Sequence, residues 1–371
     1  MRILFTRFPL ESNHGGAEVQ TLSLMRALIA RGHVVEFLGS CSVLLEAAAR
    51  IGAKVTRLDI GPPPVTKIGA VSFLWRRNAM RTRLIAAMAE FKDVEAVCML
   101  SLSEKLLLTG TLASRGVPVL WIEHDRVGRW LRKNPWLPAL RRLSTSAMTV
   151  CVSALSRAIY LELGWPAEKT VTIPNGIDVL RFGADIVRPR RDGGPLRIGC
   201  VARLSHDKGV DVLVEAIAGM PDTQLDIVGT GREEAFLRNF AESIARREMQ
   251  EVPRIRIWTS VEDLGELYHS LDCLVLPSRE HDPFGLTAAE AMVLGVPTIV
   301  TDVCGIAGYL QNGLDALIVP ADDAEALRAA LERMRDPALR TRLGKSGSAT
   351  VCTRFTLEAM TDAYEQLLSA A

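Results

Sequence analysis

Asp282 and Glu290 stand eight positions apart in LPSREHDPFGLTAAEAMVLGVPTIVTD, residues 276–302, the part of the chain richest in groups able to do chemistry. Pro283 and Gly285 shape a turn there, and a helix opening at Leu286 would aim the backbone N–H groups of Phe284, Gly285, Leu286 and Thr287 at an anion such as phosphate. One carboxylate precedes the helix and the other lies about a turn inside it, so both can approach one ligand. A capping Asp and an exposed helix Glu would give the same pattern. A second loop, VARLSHDKGVDVLVEAI at 201–217, puts Arg203 and Lys208 beside the helix that Gly209 opens. The macrodipole already makes that helix end positive, so two cations there are misplaced unless an anion joins them. A diphosphate leaving group is such an anion, because the charge developing on it must be neutralised by a metal or by fixed cations. Two solvated surface cations are the plainer account.

Two further positions carry weaker signals. Gly15 and Gly16, in SNHGGAEVQTLSLMRALIARGH at 12–33, let backbone approach a ligand closely, but the full G-x-G-x-x-G is missing and a tight turn serves equally well. His124 ends the apolar run in LWIEHDRVG at 120–128, where it either touches substrate or is a satisfied polar group at a strand end. No D-x-D occurs, and the E-H-D tripeptides at 123–125 and 280–282 are the nearest approach to an oxygen-rich cation site, so no metal is expected. The absence of G-x-S-x-G, P-loop and H-E-x-x-H leaves hydrolase, kinase and zincin chemistry without a foothold.

The elements that must position these loops alternate along the chain. RILFT, VVEFLG, KVTRLDI, EAVCML, VPVLWIE and MTVCVS in the first half, then LRIGCVA, QLDIVG, RIRIW, DCLVLP, PTIVTD and ALIVP in the second, are short β-branched runs separated by longer helical patterns. Such runs read as buried parallel strands with helical crossovers, which gives an α/β chain with one doubly wound sheet in each half. Residues 174–197, rich in Pro, Gly and Arg, read as a linker. In open α/β sheets ligands bind beyond the carboxyl ends of the strands, where all four loops lie.

Composition excludes much and divides the rest. At 371 residues, 48% hydrophobic and 23% charged, the chain suits about two soluble globular domains. No uninterrupted apolar run of about 18 residues appears, and Arg7 and Pro9 break the N-terminal run, so neither a spanning helix nor an export signal is expected. The seven cysteines are scattered and lack C-x-x-C spacing, which fits a reducing cytoplasm better than a disulfide framework or zinc. The net charge of +1 hides an asymmetry: residues 1–175 carry net +10 and residues 176–371 net −9. Much of the positive excess sits at 73–92 and 126–143, where Arg alternates with Trp and Leu. That composition suits contact with anionic lipid at the inner face of the membrane, or a solvated basic face over the core. No recognised motif points to nucleic acid.

GGAE at 15–18, PNGID at 174–178, VARLSHDKG at 201–209, IVGTGRE at 227–233 and DPFGLTAAEAMVLGVP at 282–297, in this order and spacing, resemble the group 1, family four retaining glycosyltransferases. The resemblance spans nearly the whole chain and is most specific in the second half. It implies a GT-B fold, two Rossmann-like doubly wound parallel-sheet domains facing across a cleft. An acceptor-binding domain would occupy 1–175, completed by a crossover helix within 355–371, and a nucleotide-sugar donor domain would occupy 176–354. By motif, Arg203 and Lys208 would hold the donor diphosphate in place of a metal, Glu290 the ribose, and the backbone from Phe284 through Gly285 and Leu286 to Thr287 the sugar and phosphate. Gly15 and Gly16 would let the first loop close over the phosphates, Gly229 and Gly231 would lie near the base, and His124 near the hydroxyls of the transferred sugar. The family commonly has Glu at both ends of E-x7-E; here the first is Asp282, whose shorter arm changes the contact to the sugar, and Glu280 offers a longer one.

The implied reaction is metal-independent hexosyl transfer from a nucleotide-sugar, uridine being the commonest base, with retention and without a resident cofactor. TDVCGIAGYL at 301–310 is similar to lipopolysaccharide core glucosyltransferases, which points to a glycan or lipid-linked acceptor. Two other readings fit the same shape: a GT-B nucleotide-sugar epimerase, whose motifs match poorly, and a non-catalytic binding protein, for which only Asp282 speaks.

Overall fold

The computed structural model describes residues 1–10, 15–127, 129–179, 194–249 and 253–370. Most of the expected linker, residues 180–193, and the start of the first glycine loop, residues 11–14, lie outside them. The chain divides into two compact units, Met1–Gly176 with Leu357–Ala371, and Ile177–Thr356.

In the first unit, strands β1 (Arg2–Arg7), β2 (Val34–Gly39), β3 (Lys54–Arg57), β4 (Ala96–Met99), β5 (Val119–Glu123), β6 (Met148–Cys151) and β7 (Thr170–Thr172) form a parallel sheet in the order β3-β2-β1-β4-β5-β6-β7. In the second, β8 (Leu196–Val201), β9 (Thr223–Val228), β10 (Ile255–Trp258), β11 (Cys273–Leu276), β12 (Thr298–Thr301) and β13 (Leu317–Val319) form another in the order β10-β9-β8-β11-β12-β13. Each order reverses direction once, between β1 and β4 and between β8 and β11, and at that reversal neighbouring loops diverge and leave room for a ligand. All twelve expected runs are strands. β7 was not among them: three residues are too short to show a period.

The central strands are buried on both faces because helices cover both, whereas the edge strands β3 and β10 are partly exposed. The first unit therefore has two core clusters, one holding Leu4, Val97 and Trp121, the other Ile3, Phe5 and Leu120. The helix Leu357–Ala370 returns to the first unit and buries Met360, Tyr364 and Leu368 in the second of these clusters. Arg31 pairs there with Asp362 at 2.6 Å, and His33 with Glu365 at 2.7 Å.

The basic stretches are partly core. Phe73, Met80 and Leu84 of the helix Lys67–Met88 are buried, as are Leu131, Leu137 and Leu140, whereas Ile68, Val71 and Trp75 face solvent, Ile68 at 84% and Trp75 at 76% exposure. Among the described residues no helix is long and apolar enough to cross a membrane.

Candidate functional site

The loops that follow β8 and β11 pack backbone against backbone. A Cβ on Gly209 would come within 2.2 Å of the Pro277 carbonyl oxygen, and the residue has φ +60°, so glycine is required on both counts. The Asp207 carbonyl accepts from the backbone N–H groups of Arg279 and Glu280 at 2.9 and 3.2 Å. Arg279 ties the loops further, donating to Asp211 at 2.7 Å, to Asp322 at 2.6 Å and to the His206 carbonyl at 2.7 Å.

This packing brings Lys208 to Asp282. The ammonium donates to Oδ2 at 2.6 Å, Ser278 Oγ donates to the same oxygen at 3.2 Å, and the Phe284 N–H to Oδ1 at 3.2 Å. Burial by itself would raise the Asp282 carboxyl, but the Lys208 charge and the other two donors outweigh it and hold the carboxyl below its ordinary value. Lys208 is the mirror case: burial would depress it, and Asp282 raises it instead. The sequence leaves Lys208 free for phosphate, whereas the fold gives it a carboxylate partner. Arg203 is the more available cation, its side chain 58% exposed and paired with Asp207 at 3.6 Å.

Gly285, with φ +96°, precedes the helix Leu286–Val293, whose first-turn N–H groups have no partner inside the helix. Phe284 is buried edge-on against Phe355, centroids 5.2 Å apart. Glu290 is not the exposed helix Glu of the plainer account: it is buried and accepts from Tyr268 Oη at 3.1 Å. Cβ atoms on Gly229 and Gly231 would come within 1.9 Å of the Ala202 carbonyl and 2.0 Å of the Leu204 carbonyl. These two glycines therefore let the loop after β9 cross the loop carrying Arg203, a packing role the motif did not suggest.

His124 belongs to the first unit and has a different set of neighbours. Its buried Nδ1 has no hydrogen-bond partner among the described residues. Burial, then the nearby Arg7 and Lys105 charges, push its pKa down to about 3, so the ring is neutral at physiological pH. Around it Arg7 bridges Glu18 at 2.6 Å and Asp125 at 3.4 Å, while Glu123 accepts from Lys105 at 2.8 Å and from Tyr160 Oη at 2.7 Å. Glu104 is pushed up to about 7 by burial. Sequence reasoning missed this cluster. Its signal was Arg7 and Glu123 at the ends of otherwise apolar strands, since a charge in a buried strand needs a partner. Gly15 caps the helix Gly16–Ala30, and a Cβ there would meet the Glu18 carboxylate at 3.0 Å.

The arrangement in the second unit, fixed cations and a helix start at the carboxyl ends of β8 and β11, suits binding of an anionic leaving group. Among the described residues no three His, Cys, Asp or Glu side chains come together as metal ligands.

A sequence model for glycosyl transferases group 1 matches residues 184–350, and one for glycosyltransferase family 4 matches residues 14–181. The lipopolysaccharide core biosynthesis glycosyltransferase LpsE of Rhizobium meliloti is 32% identical over 171 residues, which cover 46% of this chain and 48% of that protein. The chain thus spans about half the length of that relative. LpsD of the same organism, also a lipopolysaccharide core biosynthesis glycosyltransferase, is 28% identical over 69% of this chain and 72% of that one. In structure, Anabaena HepE in complex with UDP superposes with a TM-score of 0.82 at 17% identity, with all of both chains covered, a likeness of fold alone, the GT-B fold.

Proposed function

Because the chain belongs to the group 1, family four glycosyltransferases, we propose that it transfers a hexose-type sugar from a UDP-sugar, with retention of configuration and without a metal, to a glycan or lipid-linked acceptor of cell-envelope polysaccharide. The observation that carries this reading is the Lys208 and Asp282 pair at the carboxyl ends of β8 and β11, with exposed Arg203 and the helix start at Gly285 beside it. The UDP in the HepE complex and the lipopolysaccharide names of LpsE and LpsD support the donor and the acceptor class.

In this reading the second unit holds the donor and the first the acceptor. Arg203 and Lys208 neutralise the diphosphate, the N–H groups from Gly285 to Thr287 meet its oxygens while that of Phe284 holds Asp282, Glu290 takes the ribose and Asp282 orients the sugar. The bond from the anomeric carbon to the diphosphate oxygen breaks, and the diphosphate keeps the electron pair. The acceptor oxygen attacks from the same face, and its proton passes to the departing diphosphate. No protein nucleophile is involved. The exposed Ile68, Val71 and Trp75 beside the basic stretches supply a face for peripheral contact with anionic membrane.

The test is the thermal midpoint with UDP, GDP, ADP or TDP, each with magnesium and with EDTA. A ligand at a hundredfold its dissociation constant adds about 2.7 kcal/mol. A rise selective for UDP and unchanged by EDTA is expected; no rise with any nucleotide would leave the binding-protein reading. Turnover of UDP-sugar without acceptor would favour the epimerase.

A further inference from the structure

The two arginine-rich stretches meet on one side of the first unit. Asn134 Nδ2 donates to the Pro64 carbonyl at 2.7 Å, the Trp136 indole N–H donates to the Ala70 carbonyl at 2.8 Å, and Phe73 meets the Trp136 ring edge-on at 4.9 Å between centroids. Beside this seam a recess of about 310 Å³ opens between the helix Lys67–Met88 and the carboxyl ends of the helices Leu102–Ala113 and Leu137–Ser144. Arg77 and Arg81 enter it from the first helix and Arg142 from the last, with Thr111, Ser114 and Trp136 in the walls. Arg77 lies over the Trp136 ring, 5.7 Å from its centroid, and Arg81 donates to Thr111 Oγ1 at 2.9 Å.

Among the described residues none of these three guanidiniums has a carboxylate within ion-pair distance, whereas nearby Arg132 does, in Glu162 at 3.0 Å. Folding alone does not account for three cations around one recess, because they repel one another. A cation at a helix carboxyl end is worth about 0.3–1 kcal/mol. That covers Arg142, in the last turn of its helix, but not Arg77 and Arg81 within theirs. A volume of about 310 Å³ is in the range of small-molecule sites.

We propose that this recess binds a phosphoryl group, as a phosphomonoester or phosphodiester, at a site separate from the donor diphosphate site. Guanidinium forks match phosphate oxygens in pairs, the Thr111 hydroxyl, which accepts from Arg81, can donate to one left over, and the indole offers an apolar wall to the remainder of the ligand. A phospholipid headgroup and a soluble sugar phosphate share this chemistry. The inference rests on the recess and not on the donor reading.

The experiment compares the whole chain with the double variant Arg77→Ser/Arg142→Ser in two arms. Inorganic phosphate is titrated at constant ionic strength against the thermal midpoint, and co-sedimentation is measured with vesicles of phosphatidylglycerol and phosphatidylcholine against phosphatidylcholine alone. The expected result is a saturable response in at least one arm, weakened about tenfold or more by the double variant. Loss in the vesicle arm, with competition by phosphate, identifies a headgroup; loss in the phosphate arm with no vesicle binding identifies a soluble ligand. Equal behaviour of the two proteins in both arms, or no response in either, overturns the proposal. The midpoint rise with UDP is expected to be the same in both proteins, and its absence from both would count against the donor reading alone.

Discussion

Lys208 and Asp282, 2.6 Å apart and mostly out of water, keep each other ionised, and each depends on the other to justify its burial. Breaking a buried pair from one side costs about 3–5 kcal/mol, because a charge is left without a partner. Removing a donor that stabilises developing charge costs about 10²–10³ in turnover. Lys208→Ala is therefore expected to lower both the thermal midpoint and kcat; a variant with full turnover would remove Lys208 from the chemistry. His124 gives a pH prediction whose sign follows from its depressed pKa. Between its ordinary 6.5 and about 3 the unfolded ring binds a proton that the folded ring does not, so its contribution is present above 6.5 and lost as pH falls. Glu104, raised from 4.5 to about 7, acts in the opposite sense over the range between those values. The informative quantity is thus the difference between His124→Asn and the wild type, in which Glu104 cancels. Stability of the variant relative to wild type should rise by about 2–4 kcal/mol between pH 7 and pH 3. A constant difference across that range would show that the ring is not held neutral.

At the scale of elements, glycines that let loops cross differ from glycines with open space beside them. A Cβ at Gly229 would sit 1.9 Å from a backbone carbonyl, whereas one at Gly308 would meet nothing within 4 Å. Overpacking of this kind costs about 1–3 kcal/mol or more, against about 0.5 kcal/mol or less at an open site. Denaturant midpoints of Gly229→Ala and Gly308→Ala should separate accordingly, and equal midpoints would mean that the loop after β9 yields easily. The same packing explains what the sequence could reveal. Central strands buried on both faces are legible as apolar runs and the edge strands β3 and β10 as short β-branched ones, so twelve strands, and the loops after β8 and β11, could be found without coordinates. β7, at three residues, could not. The pairing of Lys208 with Asp282, 74 residues apart, was hidden because it depends on two loops touching, as was the Tyr268 hydroxyl on Glu290. The charged cluster around Arg7 was legible in principle, but Arg7 drew notice only as an interruption of an apolar N-terminus.

At the scale of the whole molecule, each unit has its own sheet and core, and the chain ends by returning to the first. The helix Leu357–Ala370 contributes Met360, Tyr364 and Leu368 to the core that also holds Ile3 and Phe5, so the last residues of the chain stabilise the unit that holds its first. A chain built this way need not unfold in one step. Removing a fully buried aromatic side chain costs about 3–5 kcal/mol through lost burial and the cavity left behind. Tyr364→Ala should therefore lower the calorimetric transition of the unit containing residues 1–176, while UDP, if it is held by the Arg203 and Lys208 loop, should raise the transition of the other. A protein in which both perturbations move a single transition together would show that the two cores unfold as one, and the ligand's unit would then have to be identified by the Lys208→Ala response instead.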